Sequence, residues 1–300
     1  MPISFHVGNL RCFLLEGGRV RLDGGAMFGV VPKPLWEKRI PADARNRIPL
    51  AMRCLLVEHP DGLVLVDTGL GNKEDPRFMD IYGIENRGSS GATVLDDRLL
   101  DLGYKPEEVR WVVNTHLHFD HAGGNTRVGG RAGGQAGAGP VVAFPNATYL
   151  VQRQELEFAR HTNERTRASY FRHNFDPVDE AGKWKLLDGD EEILPGISVR
   201  VTPGHVPFHQ SVLIRDRGET ALYLADLCPT SAHLPLPWIM GYDLEPMRTL
   251  ETKRAVLGEA LAGNWRLIFE HDPVVATGIA VAEGKSVGLA DVVTAVNGER

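Results

Sequence analysis

The apolar positions fall into short blocks separated by turn residues. Cys54-Leu55-Leu56-Val57 and Leu63-Val64-Leu65-Val66 flank Pro60-Asp61-Gly62, which predicts a hairpin of buried strands. Leu95, Leu99 and Leu102 recur at helical spacing within Thr93 to Leu102, and Gly103 is placed to end that helix. Trp111-Val112-Val113 reads as a buried strand running into Asn114-Thr115-His116. Val141 to Phe144 and Thr148 to Val151 read as strands, Gln152 to Arg160 as a helix, and the polar, aromatic stretch Glu164 to Phe175 as another.

The second half repeats this alternation. Ile197 to Val201 predicts a strand entering Thr202-Pro203-Gly204-His205, and Ser211 to Ile214 with Ala221 to Leu224 a hairpin turning at Asp216-Arg217-Gly218. Met247, Leu250, Leu257 and Leu261 share one face of a helix that starts near Asp243 or Glu245 and ends near Gly263. Leu267-Ile268-Phe269 is a strand leading to Glu270-His271-Asp272, and Asp291 to Val296 is expected to be a last helix. Gly123 to Pro140, rich in glycine and alanine, reads as a flexible loop. Mixed strands and helices without a composition break predict one α/β domain over 1–300.

Composition narrows the classes. At 300 residues the chain is long enough for a sizeable core. A net charge of −6 argues against a nucleic-acid partner. No apolar run approaches the roughly 18 residues of a membrane span, and Met1 to Arg11 lacks a secretory pattern. Cys12, Cys54 and Cys228 have neither metal spacing nor a disulfide framework, so they are expected to be buried thiols and the compartment cytoplasmic.

The eleven histidines matter because they cluster. His116-Leu117-His118-Phe119-Asp120-His121 packs four ligand-type side chains into six residues after a buried strand. On extended backbone His116 and His118 face one way, and Asp120 and His121 offer ligands on another side. Imidazole with carboxylate suits zinc and its first-row neighbours, and four such groups are better shared by two ions than crowded around one. His205, Asp226 and His271 each follow a strand. Any one of them alone could be a capping or core residue.

The ordered set His-x-His-x-Asp-His, Pro-Gly-His, strand-end Asp and strand-end His resembles the metallo-β-lactamase fold superfamily of hydrolases. Val66-Asp67-Thr68-Gly69 is similar to that superfamily's early strand-end motif. The resemblance implies a four-layer αβ/βα sandwich with a dinuclear site. His116, His118 and His205 would hold one ion, Asp120, His121 and His271 the other, and Asp226 would bridge them. Asp67 would orient ligands. Zinc is the default, with cobalt, manganese or iron possible. Thr115 to Asn125 is most similar to the N-acyl homoserine lactonase group and its lactone- and ester-cleaving relatives.

The implied chemistry is attack of a metal-bound hydroxide on a lactone or ester carbonyl, with Asp120 steering the nucleophile and shuttling a proton. A glutathione-thioester hydrolase or a phosphotriesterase-like enzyme is the alternative on the same fold. The sequence departs from the lactonase pattern after Asp226, where Leu227-Cys228-Pro229-Thr230 contains no Tyr. His233 is the candidate for that role, and Phe119, Phe28 and Trp238 are candidates for an apolar pocket wall. His209 is read as structural support. The expected partner is a small-molecule substrate, and Phe28 to Pro49 could serve as the arm of a homodimer.

Overall fold

The computed structural model describes residues 2–128, 139–284 and 286–295. The residues group into two compact units, each drawn from separate stretches of chain. One comprises 1–6, 10–19 and 52–188; the other comprises 7–9, 20–51 and 189–300.

A seven-stranded sheet organises the first unit. Its strands are β1 (Ile3–Val7), β2 (Leu10–Asp23), β3 (Arg47–His59), β4 (Gly62–Val66), β5 (Val109–Val113), β8 (Thr148–Gln152) and β9 (Trp184–Leu187), in the order β1-β2-β3-β4-β5-β8-β9. A separate short pair is formed by β6 (Thr126–Arg127) and β7 (Val141–Val142). The long strands β2 and β3 contribute residues to both units. β3 and β4 form the expected hairpin, with Leu56 opposite Leu65. β4, β5, β8 and β9 run parallel. The parallel strands β4, β5 and β8 are dense in Val and Leu because residues on both sheet faces are buried.

The helix Val94–Asp101 seals one face. Thr93 caps it, its Oγ1 accepting from the Asp96 backbone N–H while the Asp96 carboxylate accepts from the Thr93 N–H. Leu95 and Leu99 then join Leu56, Leu65, Val112 and Phe144 in the core. Each such leucine contributes about 1.5–3 kcal/mol by leaving water.

In the second unit seven strands run in sequence order: β10 (Glu191–Leu194), β11 (Ile197–Val201), β12 (Gln210–Asp216), β13 (Glu219–Tyr223), β14 (Arg266–Ile268), β15 (Val275–Glu283) and β16 (Ser286–Thr294). All neighbouring pairs are antiparallel except β13 with β14, which the helix Pro246–Gly263 connects. Val256, Leu257 and Ala260 of that helix pack with Leu213, Leu222, Leu267 and Phe269.

Five expectations are corrected. Asp291 to Thr294 belong to β16, paired with β15 rather than coiled; Val292, Val293 and Thr294 are β-branched and suit a strand. Val296 lies outside the described residues. Glu164 to Phe175 forms turns and a short 3-10 segment at Arg172–Asn174, because the Asn163 side chain accepts from the backbone of Arg165 and Thr166 and initiates a turn instead. Met247 is 69% exposed, and the buried helical face is Thr249, Lys253, Val256, Leu257 and Ala260. Only Val141 and Val142 of the stretch to Phe144 are strand. Of the glycine-rich loop, residues 129–138 lie outside the described residues, and Gly123–Asn125 forms a 3-10 turn.

Candidate metal centre

The first unit carries one cluster. Asp67 ends β4 in the left-handed region, at φ 53°, a conformation that Asp tolerates better than most residues. Its Oδ1 accepts from the Thr115 N–H at 2.8 Å, and its Oδ2 accepts from the Thr115 hydroxyl at 2.6 Å and from His121 Nδ1 at 3.0 Å. With its proton committed to Asp67, Thr115 Oγ1 accepts from His116 Nδ1 at 3.1 Å. Asp67 and Thr115 thereby place the protons of two histidines on Nδ1 and turn each Nε2 lone pair outward, the state a metal ligand needs.

All four ligand-type residues of His116 to His121 are buried. The His116 ring lies 4.5 Å from that of His118 and 4.0 Å from that of His121. Glu155, fully buried, accepts from the Leu117 N–H at 3.0 Å and from the Tyr170 hydroxyl at 2.9 Å, and the Tyr170 ring packs on His118 at 4.6 Å. Burial, with the Glu155 carboxylate alongside, holds the Tyr170 phenol protonated far above its ordinary range. Phe119 turns away from these partners into an aromatic group with Phe78 at 5.0 Å, Tyr82 at 5.7 Å and Phe171 at 5.9 Å.

The second unit gathers a cluster from three distant strand ends. His205 Nε2 and His271 Nε2 each lie 3.0 Å from a different oxygen of Asp226. Their Nδ1 atoms are anchored too, His205 on Asp243 at 2.9 Å and His271 on the Ala51 carbonyl at 2.9 Å. Burial lowers the affinity of His205 for a proton, but the Asp226 and Asp243 carboxylates outweigh it and raise its pKa to about 10. Gly204 precedes His205 at φ 141°, where a Cβ would sit 2.3 Å from Thr249 Oγ1, so only glycine brings the loop this close to the helix. Ala225, before Asp226, also has a positive φ of 46°. His209 Nε2 accepts from the Asp226 N–H at 3.3 Å while its Nδ1 bonds Thr202, a supporting position.

His233, Phe28 and Trp238 come together in this unit. The His233 ring stacks on Phe28 at 4.6 Å and 1°, and Trp238 meets Phe28 edge-on at 5.7 Å. His233 Nε2 donates to the Met27 carbonyl at 2.9 Å, leaving Nδ1 to accept from Thr230 Oγ1 at 2.7 Å. Burial pushes its pKa down to about 3. The Lys253 ammonium donates to the Pro235 and Trp238 carbonyls at 2.9 Å each and fixes the loop bearing Trp238.

Asp243, Thr115 and Glu155 escape sequence reasoning as functional residues. Asp243 is legible only as a candidate helix start; the helix begins at Pro246 and Asp243 spends its carboxylate on His205. Thr115 is adjacent to the cluster, and that adjacency is its one signal. Glu155 sits on the helix Arg153–Arg160 like any acidic first-turn residue. The three cysteines are buried and form no disulfide among the described residues, in line with the expected buried thiols.

The donor set is imidazole nitrogen and carboxylate oxygen throughout, which fits a divalent first-row ion. A family model described as the metallo-beta-lactamase superfamily matches residues 49–271. An N-acyl homoserine lactonase from a Bacillus species is 32% identical over 179 residues, which is 55% of this chain and 58% of the relative. The chain therefore spans just under three-fifths of that relative's length. An N-acyl homoserine lactonase from Rhizobium johnstonii is 30% identical over 235 residues, covering 73% of this chain and 80% of the relative. A probable metal-dependent hydrolase from Staphylococcus aureus has a TM-score of 0.86 at 28% identity, with 98% of this chain and 99% of that one covered.

Proposed function

Because the chain belongs to the metallo-beta-lactamase superfamily, we propose that it is a metal-dependent hydrolase of lactones or related esters. The observation that carries this reading is the anchoring of four imidazoles at Nδ1, His116 by Thr115, His121 by Asp67, His205 by Asp243 and His271 by the Ala51 carbonyl, with the Nε2 atoms of His205 and His271 both set against Asp226. The lactonase relatives supply the substrate class.

In this reading His116, His118 and His205 hold one divalent ion, Asp120, His121 and His271 hold a second, and Asp226 serves both. Zinc is the default, with cobalt, manganese or iron able to use the same donors. When bound, the ions supply Lewis acidity and bring the ionisation of water close to neutral pH. Asp120 steers the attacking water and takes its proton. Asp67, Thr115 and Asp243 keep the imidazoles turned and in the right tautomer. Phe119, Phe28 and Trp238 line the path of an apolar acyl or aryl group. His233, with both nitrogens engaged, shapes that wall rather than contacting the carbonyl. Buried thiols outside disulfides accord with a cytoplasmic setting, and the exposed Val30 and Leu35 with a homodimer formed through 28–49. No helix among the described residues is long and apolar enough to cross a membrane.

The test pairs metal analysis with a substrate panel. Chelation is expected to abolish lactone turnover and reloading with zinc or cobalt to restore it. Metal-loaded protein that cleaves thioesters or phosphotriesters but no lactone or ester refutes the assignment.

A further inference from the structure

The segment after β4 is joined to the chain after His121 backbone to backbone. The Thr68 N–H and hydroxyl both donate to the His121 carbonyl, at 2.7 and 3.0 Å, and the Gly124 N–H donates to the Gly69 carbonyl at 3.2 Å. A Cβ on Gly123 would meet Gly71 N at 2.5 Å and one on Gly124 would meet the Thr68 carbonyl at 2.3 Å, so neither position has room for a side chain. Further along, Asn72 exchanges two hydrogen bonds with the Val128 backbone.

One cation enters the seam. Lys73 reaches across it, and its Nζ donates to the Gly123 carbonyl at 2.5 Å and the Thr126 carbonyl at 2.6 Å, at either end of the 3-10 turn that follows the ligand run. Such carbonyls, turned out of a short helix, need donors when buried. Burial pushes the Lys73 pKa down to about 8, opposed by Glu74. The Glu74 carboxylate accepts from the Lys73 N–H at 2.9 Å and faces His173 at 3.9 Å, while the Thr126 hydroxyl donates to the His173 carbonyl at 2.6 Å. Keeping an ammonium in this setting is expensive for a surface-type residue, and a charge-assisted pair of hydrogen bonds to two carbonyls offsets that cost.

We propose that Lys73 is a positioning residue for metal binding: by clamping Gly123 and Thr126 it holds His121, two residues upstream, in ligand register against Asp67. The inference rests on the metal-dependent reading above. Lys73 touches no substrate and acts through the ligand run.

The experiment starts with wild-type protein, measuring zinc retention against a chelator series and the visible spectrum after cobalt loading. Wild-type protein that takes up neither ion rejects the proposed function itself, whatever Lys73 does. Given uptake, K73M, which keeps the length and removes the donors, is expected to weaken retention about 10- to 100-fold. It should also change the cobalt spectrum and speed amide exchange at Thr68 and Gly124. K73Q, which keeps an NH2 donor, is expected to recover part of the loss. A folded K73M with wild-type retention, spectrum and exchange overturns the proposal. Should K73M not fold, the wild-type Lys73 ammonium resonance decides. It is expected to shift when metal is removed, and a resonance indifferent to removal overturns the proposal.

Discussion

The two histidine–aspartate clusters reach similar chemistry by opposite routes. In the first unit the ligand-type residues come from six consecutive positions, and the groups orienting them, Asp67 and Thr115, sit at the ends of adjacent parallel strands. In the second unit His205, Asp226 and His271 are brought together from three strand ends, and the ligand-type side chains touch one another directly through Asp226. A contiguous run is organised by outside hydrogen bonds to its backbone and Nδ1 atoms. A dispersed set is organised by its own central carboxylate. The first arrangement should therefore be most sensitive to its supports, and the second to its centre.

The largest effect is expected at that centre. Asp226→Asn removes the charge between two imidazoles, and on the proposed metal-dependent reading a fall in lactone kcat/KM of about a thousandfold, near 4 kcal/mol, should accompany loss of bound metal. Equal losses in Asp226→Asn and Asp243→Asn would break the contrast, because the centre would then matter no more than a support.

Next come the supports themselves. Asp67→Ala releases His121 and Thr115 together, whereas Asp243→Ala releases His205 alone. Each is expected to cost about 10- to 100-fold in metal affinity, Asp67→Ala the more. Competition with a chromogenic chelator ranks them, and the reverse order would undo the argument.

A smaller effect concerns acid stability. His233 titrates at about 3 in the folded protein, well below the ordinary histidine value, because burial disfavours its charged form. The unfolded chain then binds the extra proton first, so the contribution is intact above pH 6.5 and is lost as pH falls from there toward 3. The expected slope reaches about 1.4 kcal/mol per pH unit. Urea midpoints between pH 7 and 4.5 should fall less steeply in His233→Gln; parallel slopes would remove His233 from the account.

The smallest is Ala225→Gly. A left-handed alanine costs about 1–2 kcal/mol, most of which glycine regains, less its extra freedom when unfolded. A rise in melting point of a few degrees at most is expected, and a clear fall would mean that the Ala225 methyl packs favourably.

How far the sequence carried differs between the same two regions. The β3–β4 hairpin, the helix Val94–Asp101 and the ligand run after β5 were legible because each is a local pattern: apolar blocks around a turn, helical periodicity with a terminating glycine, or ligand types packed at short spacing. The C-terminal hairpin was not, since a strand at the sheet edge takes its conformation from the partner it pairs with, and β15 is a neighbour only in the folded sheet. Met247 misled for a related reason. Helical spacing defines a set of faces, but which face is buried depends on where the sheet lies, and the helix turned Lys253 inward to reach the Pro235 and Trp238 carbonyls.

By itself, the sequence determined the elements with strong local periodicity, the residue types able to bind metal and the superfamily, because these depend on neighbours within a few positions or on an ordered motif. Only the tertiary structure decided which groups anchor the histidines: Thr115 on His116, Asp67 on His121, Asp243 on His205 and the Ala51 carbonyl on His271. A hydrogen bond is fixed by positions good to a few tenths of an ångström. Sequence spacing carries no such information once the partners are separated by strands that must first pair.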